Sequence, residues 1–563
     1  MFTVYRSSLL LFALVSVFAV AQPSFQLNQV GYSPLGNKRI AVSKAHGDSL
    51  YVYAPKGALA GTFALGKYAS WDASQDSARW VDLSALHDTG TYALMIPGSS
   101  RTTALRITNA PETELTNGAL RFFYFQRASL ELLPEFAGKW ARKLGHPDTL
   151  VYLHPSTGDS GTISSPRGWY DAGDYGKYMV NSGITVYTLL ELYQDAPAKF
   201  AQRTLNIPES ANNVPDLLDE IRWNLDWMLT MQAKDGGVYH KLTTLRFSGD
   251  IMPSADSAQR FAIGKTSTAT FDFAAAMAKA SVVYKPYDLI FSTRCLAAAF
   301  RAYQWGIANP DVKYQQPDDV STGQYGDQNT QDERFWASVE LYIATQGRNP
   351  DYLRNAESSQ QRIQTPSWST VQALGYFSAA SNAKLFGSLG TRALEEVQGL
   401  AEQLRENANG NPYGITLSYD DHIWGSNAVL ANQSMVLLVA NRLHPDSSLV
   451  RIAHNNLDYL LGMNPLAMSY VTGFGTKNPL HPHHRPSQAD TVLAPIPAML
   501  VGGPHDGGQD VKAPGSDDPW KCPEYRVKDA PARCYLDNRC SYATNEVAIN
   551  WNAPLVYLTG MLE

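Results

Sequence analysis

The sequence lacks the features that would indicate a nucleic-acid binder or an integral membrane protein. Its 563 residues carry 46 basic and 52 acidic side chains, a net charge of −6, and no long basic run. The electrostatic footprint of a nucleic-acid binder is therefore missing. Beyond the N-terminus, no segment reaches the roughly 20 apolar residues that a membrane helix needs. We expect no nucleic-acid partner and no membrane span once the N-terminal segment is removed.

The N-terminal segment has the three parts of a secretory signal peptide. In MFTVYRSSLLLFALVSVFAVAQ, the basic residue Arg6 precedes an apolar run over 9–20 and small residues at positions 19 and 21. The run is too short to span a bilayer comfortably, so we predict a signal peptide over 1–21, cut after Ala21. The mature protein would then be secreted or periplasmic. The alternative is an uncleaved N-terminal anchor.

Cysteine is scarce. Of the 4 cysteines, Cys295 stands alone, whereas Cys522, Cys534 and Cys540 form a cluster near the C-terminus. In an oxidising compartment, a disulfide within this cluster is expected. A zinc site is the alternative, but no histidine lies at ligand spacing among the three.

The chain changes character near Pro111. Over 25–108, short alternating runs such as KRIAVS and TYALMI are separated by turn-forming residues, which predicts a small all-β sandwich. Over 112–563, about ten to twelve helical segments without alternating strands indicate helix pairs around a common core, as in an α/α toroid. Three irregular stretches are expected to form the functional rim: 145–176, 233–265 and 470–540.

Two aspartates stand one turn apart where an irregular stretch meets a predicted helix. They are Asp171 and Asp174, in GWYDAGDYGKYMV. The unpaired N–H groups at a helix N-terminus favour ionised carboxylates, so at least one of the two could act as a base. The alternative is an ordinary helix cap with an acidic neighbour.

A glutamate far downstream has the surroundings of a proton donor. Glu546 lies among aromatic residues in YLDNRCSYATNEVAINWNAPL, and loss of hydration would raise its pKa. Alone, it could equally be a capping or surface residue. A base and an acid carboxylate across a cleft are the arrangement that cleaves glycosidic bonds.

The segment between them is rich in histidine. SYVTGFGTKNPLHPHHRPS contains His481, His483, His484 and Arg485. Three histidines in four positions could bind a metal, but Pro482 interrupts them and no acid is near. Hydrogen-bond donors in a sugar subsite fit better, and surface histidines without a role are the remaining alternative.

Taken together, these motifs resemble glycoside hydrolase family 9, the cellulase family, in its subgroup with an N-terminal immunoglobulin-like domain. The resemblance begins at QLNQVGY and continues through GWYDAGDYGKYMVNSGI, GDQNTQDERFWASVELY, IWGSNAVL and LDYLLGMNPLAMSYVTGFG to the acidic motif around Glu546. It implies an immunoglobulin-like sandwich over 25–108 followed by an (α/α)6 barrel over 112–563.

The resemblance also implies a role for individual residues. Asp174 matches the general base, Asp171 the partner that holds the attacking water, and Glu546 the general acid. Two further residues are grouped with the catalytic set, namely His483 and Asp537. Three more are expected to contact substrate: Arg485, Tyr542 and Trp551.

The activity implied is that of a secreted endo-β-1,4-glucanase acting on cellulose or a related β-glucan by single displacement with inversion. Its partner would be a β-1,4-linked glucan. An exo-acting relative is the nearest alternative, because loops can block a cleft without changing acid or base. A carbohydrate-binding protein without catalysis is a further alternative, although all three carboxylates are present.

The resemblance leads to expectations for two metal sites, one for zinc and one for calcium. The positions that match the zinc ligands of relatives are Ala128, Gly145, His146 and Tyr170, so three of the four ligands are missing and zinc is not expected. The oxygen-rich segment TGQYGDQNTQDE is the candidate for a structural calcium site, through Asp327, Asp332 and Glu333. A capped helix is the alternative for this segment.

Overall fold

The computed structural model describes residues 22–563 and contains an N-terminal β-sandwich followed by a large helical unit. The predicted signal peptide over 1–21 lies outside the described residues. Within 22–563, no helix is both long and apolar enough to cross a membrane.

Two four-stranded antiparallel sheets make up the sandwich. One sheet has the order β1-β2-β6-β5 and the other β4-β3-β7-β8. The buried residues alternate along strands such as β3 and β7, as the sequence pattern predicts for one face on a core. The strands are β1 (Ser24–Gln26), β2 (Arg39–Ser43), β3 (Ser49–Tyr53), β4 (Leu59–Ala64), β5 (Ala69–Trp71), β6 (Asp76–Asp82), β7 (Gly90–Met95) and β8 (Thr102–Ile107).

The helical unit contains twelve helices of ten residues or more among the described residues, together with five short ones. In chain order they are α1 (Pro111–Gln126), α2 (Pro134–Ala137), α3 (Met179–Asp195), α4 (Pro197–Phe200), α5 (Asp216–Thr230), α6 (Ser267–Val283), α7 (Leu289–Ala308), α8 (Gln331–Ala344), α9 (Pro350–Ser359), α10 (Gln372–Ser381), α11 (Ala383–Phe386), α12 (Ser388–Asn409), α13 (Ser426–Leu443), α14 (Ser447–Leu460), α15 (Arg485–Ala489), α16 (Tyr542–Asn545) and α17 (Ile549–Leu562).

Six of the long helices close an inner ring. Helix α3 packs on α6, α6 on α8, α8 on α10, α10 on α13, α13 on α17, and α17 on α3. The inner helices α3, α6 and α17 are buried on nearly every side, whereas outer helices such as α12 bury one face. The sandwich and the (α/α)6 barrel are thus confirmed as the fold class.

The helical unit also contains a small sheet that the sequence analysis does not predict. Its strands are β9 (Val151–Leu153), β10 (Thr162–Ile163), β11 (Lys177–Tyr178), β12 (Tyr239–Thr243) and β13 (Phe261–Lys265), in the order β10-β9-β13-β12-β11. The stretches 145–176 and 233–265, which the sequence analysis treats as irregular, therefore contain four of these strands, and β11 follows directly after the first stretch. Runs of two to five residues are too short for a period to be visible in sequence.

The sandwich is joined to the barrel by buried polar contacts. The side chain of Asn28 donates to Oδ1 of Asp458 at 2.7 Å, and the backbone N–H of Gln29 donates to the carbonyl of Leu461 at 2.9 Å. Burial raises the pKa of Asp458 well above its usual range. Trp71 of the sandwich packs against Tyr413 of the barrel, with ring centroids 5.6 Å apart. The two units therefore share a packed interface.

We expect Asn28→Ala to lower the free energy of unfolding by about 2 kcal/mol, because it leaves a buried carboxyl group without its amide partner. Asn37→Ala is the matched control, since it removes a half-buried contact with Asn455 and should cost about 1 kcal/mol or less. Urea denaturation of the three proteins measures the difference. Equal losses of unfolding free energy in the two variants would contradict a larger contribution from the buried contact with Asp458.

Candidate active site

The loops that precede the inner helices line one cleft of about 920 Å³. Asp174 precedes α3, Tyr325 precedes α8, Trp368 precedes α10, Trp424 precedes α13 and Glu546 precedes α17, and all five line this cleft. The N-termini of five inner helices therefore face it, and their partial positive charges favour anionic groups there.

Asp174 is the aspartate that reaches the cleft. Its Oδ2 accepts the backbone N–H of Gly176 at 2.9 Å and the hydroxyl of Tyr178 at 3.3 Å. A Cβ at Gly173 would overlap the carbonyl oxygen of His483, so only glycine allows the aspartate loop to approach the histidine segment this closely. The DAGD sequence thus brings two remote parts of the chain together.

Asp171 lies behind Asp174 and is fully buried. Its carboxylate accepts from the side-chain amide of Asn181 at 2.8 Å and from the hydroxyl of Tyr325 at 2.9 Å. Burial, and then the charge of Asp174, raises the pKa of Asp171 to about 8, against the opposing effect of those two donors. Burial thus favours the protonated form of Asp171, whereas Asp174 is the member of the pair that faces the cleft.

Glu546 occupies the break between α16 and α17. The backbone of Glu546 is extended, and its carbonyl accepts the N–H of Gly502 at 2.8 Å. Burial, and then the charge of Asp174, raises the pKa of Glu546 well above its usual range. Glu546 can therefore hold a proton at neutral pH and donate it into the cleft.

The histidine segment divides into cleft and structural residues. His483 and Arg485 line the cleft. The Nη1 of Arg485 donates to the carbonyl of Gly173 at 2.8 Å, and its Nε to the carbonyl of Ser248 at 2.9 Å. His484 is buried instead, with Nε2 3.0 Å from the side-chain oxygen of Gln126.

The remaining residues singled out from the sequence fall into two groups. Trp551 and Tyr542 line the cleft, and the Tyr542 ring lies 5.3 Å from that of Trp424. Asp537 is not part of the lining. Its carboxylate accepts the backbone N–H groups of Leu480 at 2.8 Å and His481 at 2.9 Å, and so it fixes the segment that carries His483. Asp537 is a positioning residue in this geometry.

The sequence analysis misses several residues that contact the site. Tyr325 and Asn181 bind Asp171, yet no local pattern relates them to it. Tyr325 lies inside the segment interpreted as a calcium loop. Trp424 stands in IWGSNAVL, where an aromatic residue directly before a helix was an available signal.

The cysteine cluster contains the expected disulfide. Cys522 and Cys540 are bonded, with Cα atoms 5.3 Å apart, and Cys534 is a buried free thiol. The disulfide consumes two of the three thiolates that the alternative zinc site would need.

Comparison with known proteins identifies the chain. The model of the family described as Glycosyl hydrolase family 9 matches residues 113–559, and that of the cellulase N-terminal ig-like domain matches residues 20–101. The chain belongs to glycosyl hydrolase family 9. It is therefore a glycoside hydrolase.

Individual relatives of this family 9 chain cover almost its full length. It is 38% identical to the xyloglucan-specific endo-beta-1,4-glucanase BoGH9A of Bacteroides ovatus, over 97% of this chain and 95% of that protein. It is 31% identical to Endoglucanase D of Acetivibrio thermocellus, over 94% of this chain and 82% of that protein. The solved structure of Bacteroides ovatus GH9 superposes with a TM-score of 0.87 at 36% identity, covering 96% of this chain and 98% of that one.

The zinc positions of the family do not fit a metal here. Among Ala128, Gly145, His146 and Tyr170, one imidazole is the sole strong zinc ligand. His146 Nδ1 lies 2.8 Å from the hydroxyl of Tyr170, and its Nε2 lies 3.3 Å from a carboxylate oxygen of Asp256. This Tyr–His–Asp chain of contacts connects three separate loops, at residues 146, 170 and 256.

The calcium candidates lie in a group of buried acids. Asp327, Asp332 and Glu333 are joined by Asp272 of α6, and in the described part of the chain each keeps at least one carboxylate oxygen without a hydrogen-bond partner. Burial, together with their mutual charge, raises the pKa of Glu333 and Asp272 well above the usual range and that of Asp332 to about 6. Protons or a cation must neutralise this group.

We propose that calcium is that cation. Residues 22–563 contain no group of three or more His, Cys, Asp or Glu side chains already arranged to hold a metal ion. The donors of the acidic group are nevertheless all carboxylate oxygens, which are the ligands calcium prefers. Bound there, calcium would neutralise the charge between α6 and α8 and so serve stability.

We expect 1 mM calcium chloride to raise the melting temperature of the protein by several degrees and a chelator to reverse the change, because a cation bound only by the folded state stabilises it. Glu333→Gln should abolish the shift. Differential scanning fluorimetry measures it, with magnesium as the control for ionic strength. An unchanged melting temperature would mean that protons alone neutralise the group.

Proposed function

We propose that this family 9 enzyme is a secreted endo-β-1,4-glucanase that hydrolyses a β-1,4-linked glucan with inversion. The observation that carries the proposal is the meeting of Asp174 and Glu546 in one cleft, although 372 residues separate them along the chain (546 − 174). The names of the relatives from Bacteroides ovatus and Acetivibrio thermocellus support endo action and include xyloglucan as a substrate to test.

The acid and the base have different environments in the cleft. Glu546 holds its proton because burial and Asp174 disfavour the charged form, and it protonates the glycosidic oxygen as the bond breaks. Asp174, which lines the cleft, takes a proton from the attacking water. Asp171 is fixed behind it by Asn181 and Tyr325 and helps to hold that water. One displacement completes the reaction, without a covalent sugar intermediate.

The neighbouring residues bind and position the sugar. His483 and Arg485 line the cleft beside the two catalytic carboxylates and offer hydrogen-bond donors to sugar hydroxyls. Trp551 and Tyr542 offer flat aromatic faces on which a pyranose ring can stack. Asp537 holds the backbone before His483 in place.

Export of the enzyme is supported by two features of the chain. The signal-like pattern over 1–21 directs secretion. The disulfide between Cys522 and Cys540 is typical of proteins that fold in an oxidising compartment.

We expect the wild-type protein to reduce the viscosity of carboxymethyl cellulose and xyloglucan solutions much faster than it releases reducing ends, because an endo enzyme cuts within the chain. Asp174→Ala and Glu546→Gln should each lower kcat by about a thousandfold, the contribution typical of a positioned acid or base. Viscometry and a reducing-sugar assay on the same samples measure both effects.

Three controls separate the alternatives. Glu357→Gln removes an exposed carboxylate on α9 and should leave the rate unchanged. Azide should restore chain cleavage to Asp174→Ala, where it attacks the anomeric carbon in place of water and forms a glycosyl azide while Glu546 protonates the leaving oxygen, and not to Glu546→Gln. Reducing ends that rise while viscosity persists would indicate exo action, and a wild type no faster than Asp174→Ala would indicate a binding protein.

A further inference from the structure

Trp520 enters the catalytic cleft from a loop that has no part in the acid–base chemistry. Three consecutive residues of this loop line the cleft, namely Pro519, Trp520 and Lys521. The indole of Trp520 is 59% exposed, although it belongs to a concave site. A single exposed aromatic residue is common on protein surfaces. Trp520 therefore indicates a binding role only if the surrounding structure holds its loop in place.

The loop is anchored at its base by the disulfide and by backbone pairing. Cys522 is bonded to Cys540, which itself lines the cleft. The N–H of Cys522 donates to the carbonyl of Asp510 at 2.7 Å, and the N–H of Lys512 donates to the carbonyl of Cys522 at 2.8 Å. Cys522, two positions after Trp520, is therefore held by its side chain and by both of its backbone hydrogen-bonding groups.

A buried carboxylate ties the same loop to the segment that carries the catalytic acid. Asp510 accepts the hydroxyl of Tyr525 at 2.7 Å through Oδ1 and the hydroxyl of Ser541 at 2.7 Å through Oδ2. Lys521 donates to the hydroxyl of Tyr542 at 2.6 Å and to the carbonyl of Gln509 at 2.6 Å. The contact of Lys521 therefore connects the residue after Trp520 to α16, which directly precedes Glu546.

The same end of the cleft already contains an aromatic pair. Tyr542 and Trp424 lie 5.3 Å apart, and Trp424 is 40% exposed within the cleft. Exposed indole rings that are fixed in a cleft can stack on the apolar faces of sugar rings at little entropic cost. Lys521 adds a cation beside them that can donate to hydroxyl groups.

We infer that Trp520 forms a stacking subsite for a backbone glucosyl unit of the bound glucan, outside the cleavage point, and that the disulfide between Cys522 and Cys540 holds it there. The inference rests on the proposed function, because it takes a β-1,4-glucan as the ligand of the cleft. It assigns the disulfide a role in substrate binding in addition to stability. The segment 504–530 thereby becomes a determinant of how tightly long chains bind.

The test measures cellohexaose binding by isothermal titration calorimetry in the Glu546→Gln background, so that hydrolysis does not interfere. Trp520→Ala should weaken binding about tenfold, as expected when an aromatic anchor is truncated. The double replacement Cys522→Ser and Cys540→Ser should weaken it by a similar factor. Adding Trp520→Ala to the double replacement should cause little further loss, because both changes remove the same contact.

Two controls distinguish a binding role from a structural one. Trp520→Tyr keeps a flat ring and should recover most of the affinity. Trp80→Ala removes a half-exposed indole on the sandwich, outside the cleft, and should leave the affinity unchanged.

The possible results separate this inference from the proposed function. If Trp520→Ala binds cellohexaose within about twofold of its parent, the stacking subsite is wrong while the proposed function stands. If the losses of affinity from the Trp520 and cysteine replacements multiply, the disulfide does not hold Trp520 in place, and that part of the inference is wrong. If the parent binds no cellohexaose and the wild type hydrolyses no glucan, both fail together.

Discussion

The carboxyl groups of Asp171 and Asp174 share one buried region, and the cost of placing two negative charges there affects the whole site. Burial and the neighbouring charge raise the pKa of Asp171 to about 8, and the same two causes keep Glu546 protonated across the cleft. Glu546, the proposed acid, can therefore hold a proton in the same cleft that Asp174, the proposed base, lines.

The barrel produces this arrangement because its inner helices begin at the cleft. Loops before α3 and α17 carry Asp174 and Glu546, and the histidine segment crosses between them. Gly173 allows the close crossing, and the carbonyl of Gly173 accepts from Arg485 on the other side. Mutations that displace these loops should therefore disturb both the protonation states and the binding of sugar.

Much of the fold could be predicted from the sequence, because the spacing of apolar residues reflects which side chains are buried. The alternating strands of the sandwich and the helical spacing after Pro111 correspond to β1 to β8 and to the ring of helices. The sheet β9 to β13 could not be predicted, since its strands are short and pair over long distances.

The site was predictable where function depends on a local motif. Asp174, Glu546, His483, Arg485, Tyr542 and Trp551 meet in the cleft as the family resemblance implies. The contacts of Asp171 with Asn181 and Tyr325, and the pairing of Cys522 with Cys540, required coordinates. They arise from how separate loops pack, which no single stretch of sequence encodes.

The most direct measurement of the central claim is the anomeric configuration of the first product. Proton NMR of a cello-oligosaccharide digest, recorded before mutarotation, distinguishes the two anomers. A water activated by the aspartate pair and a leaving group protonated by Glu546 predict the α-anomer at early times. Early release of the β-anomer would mean a covalent intermediate and would contradict the account.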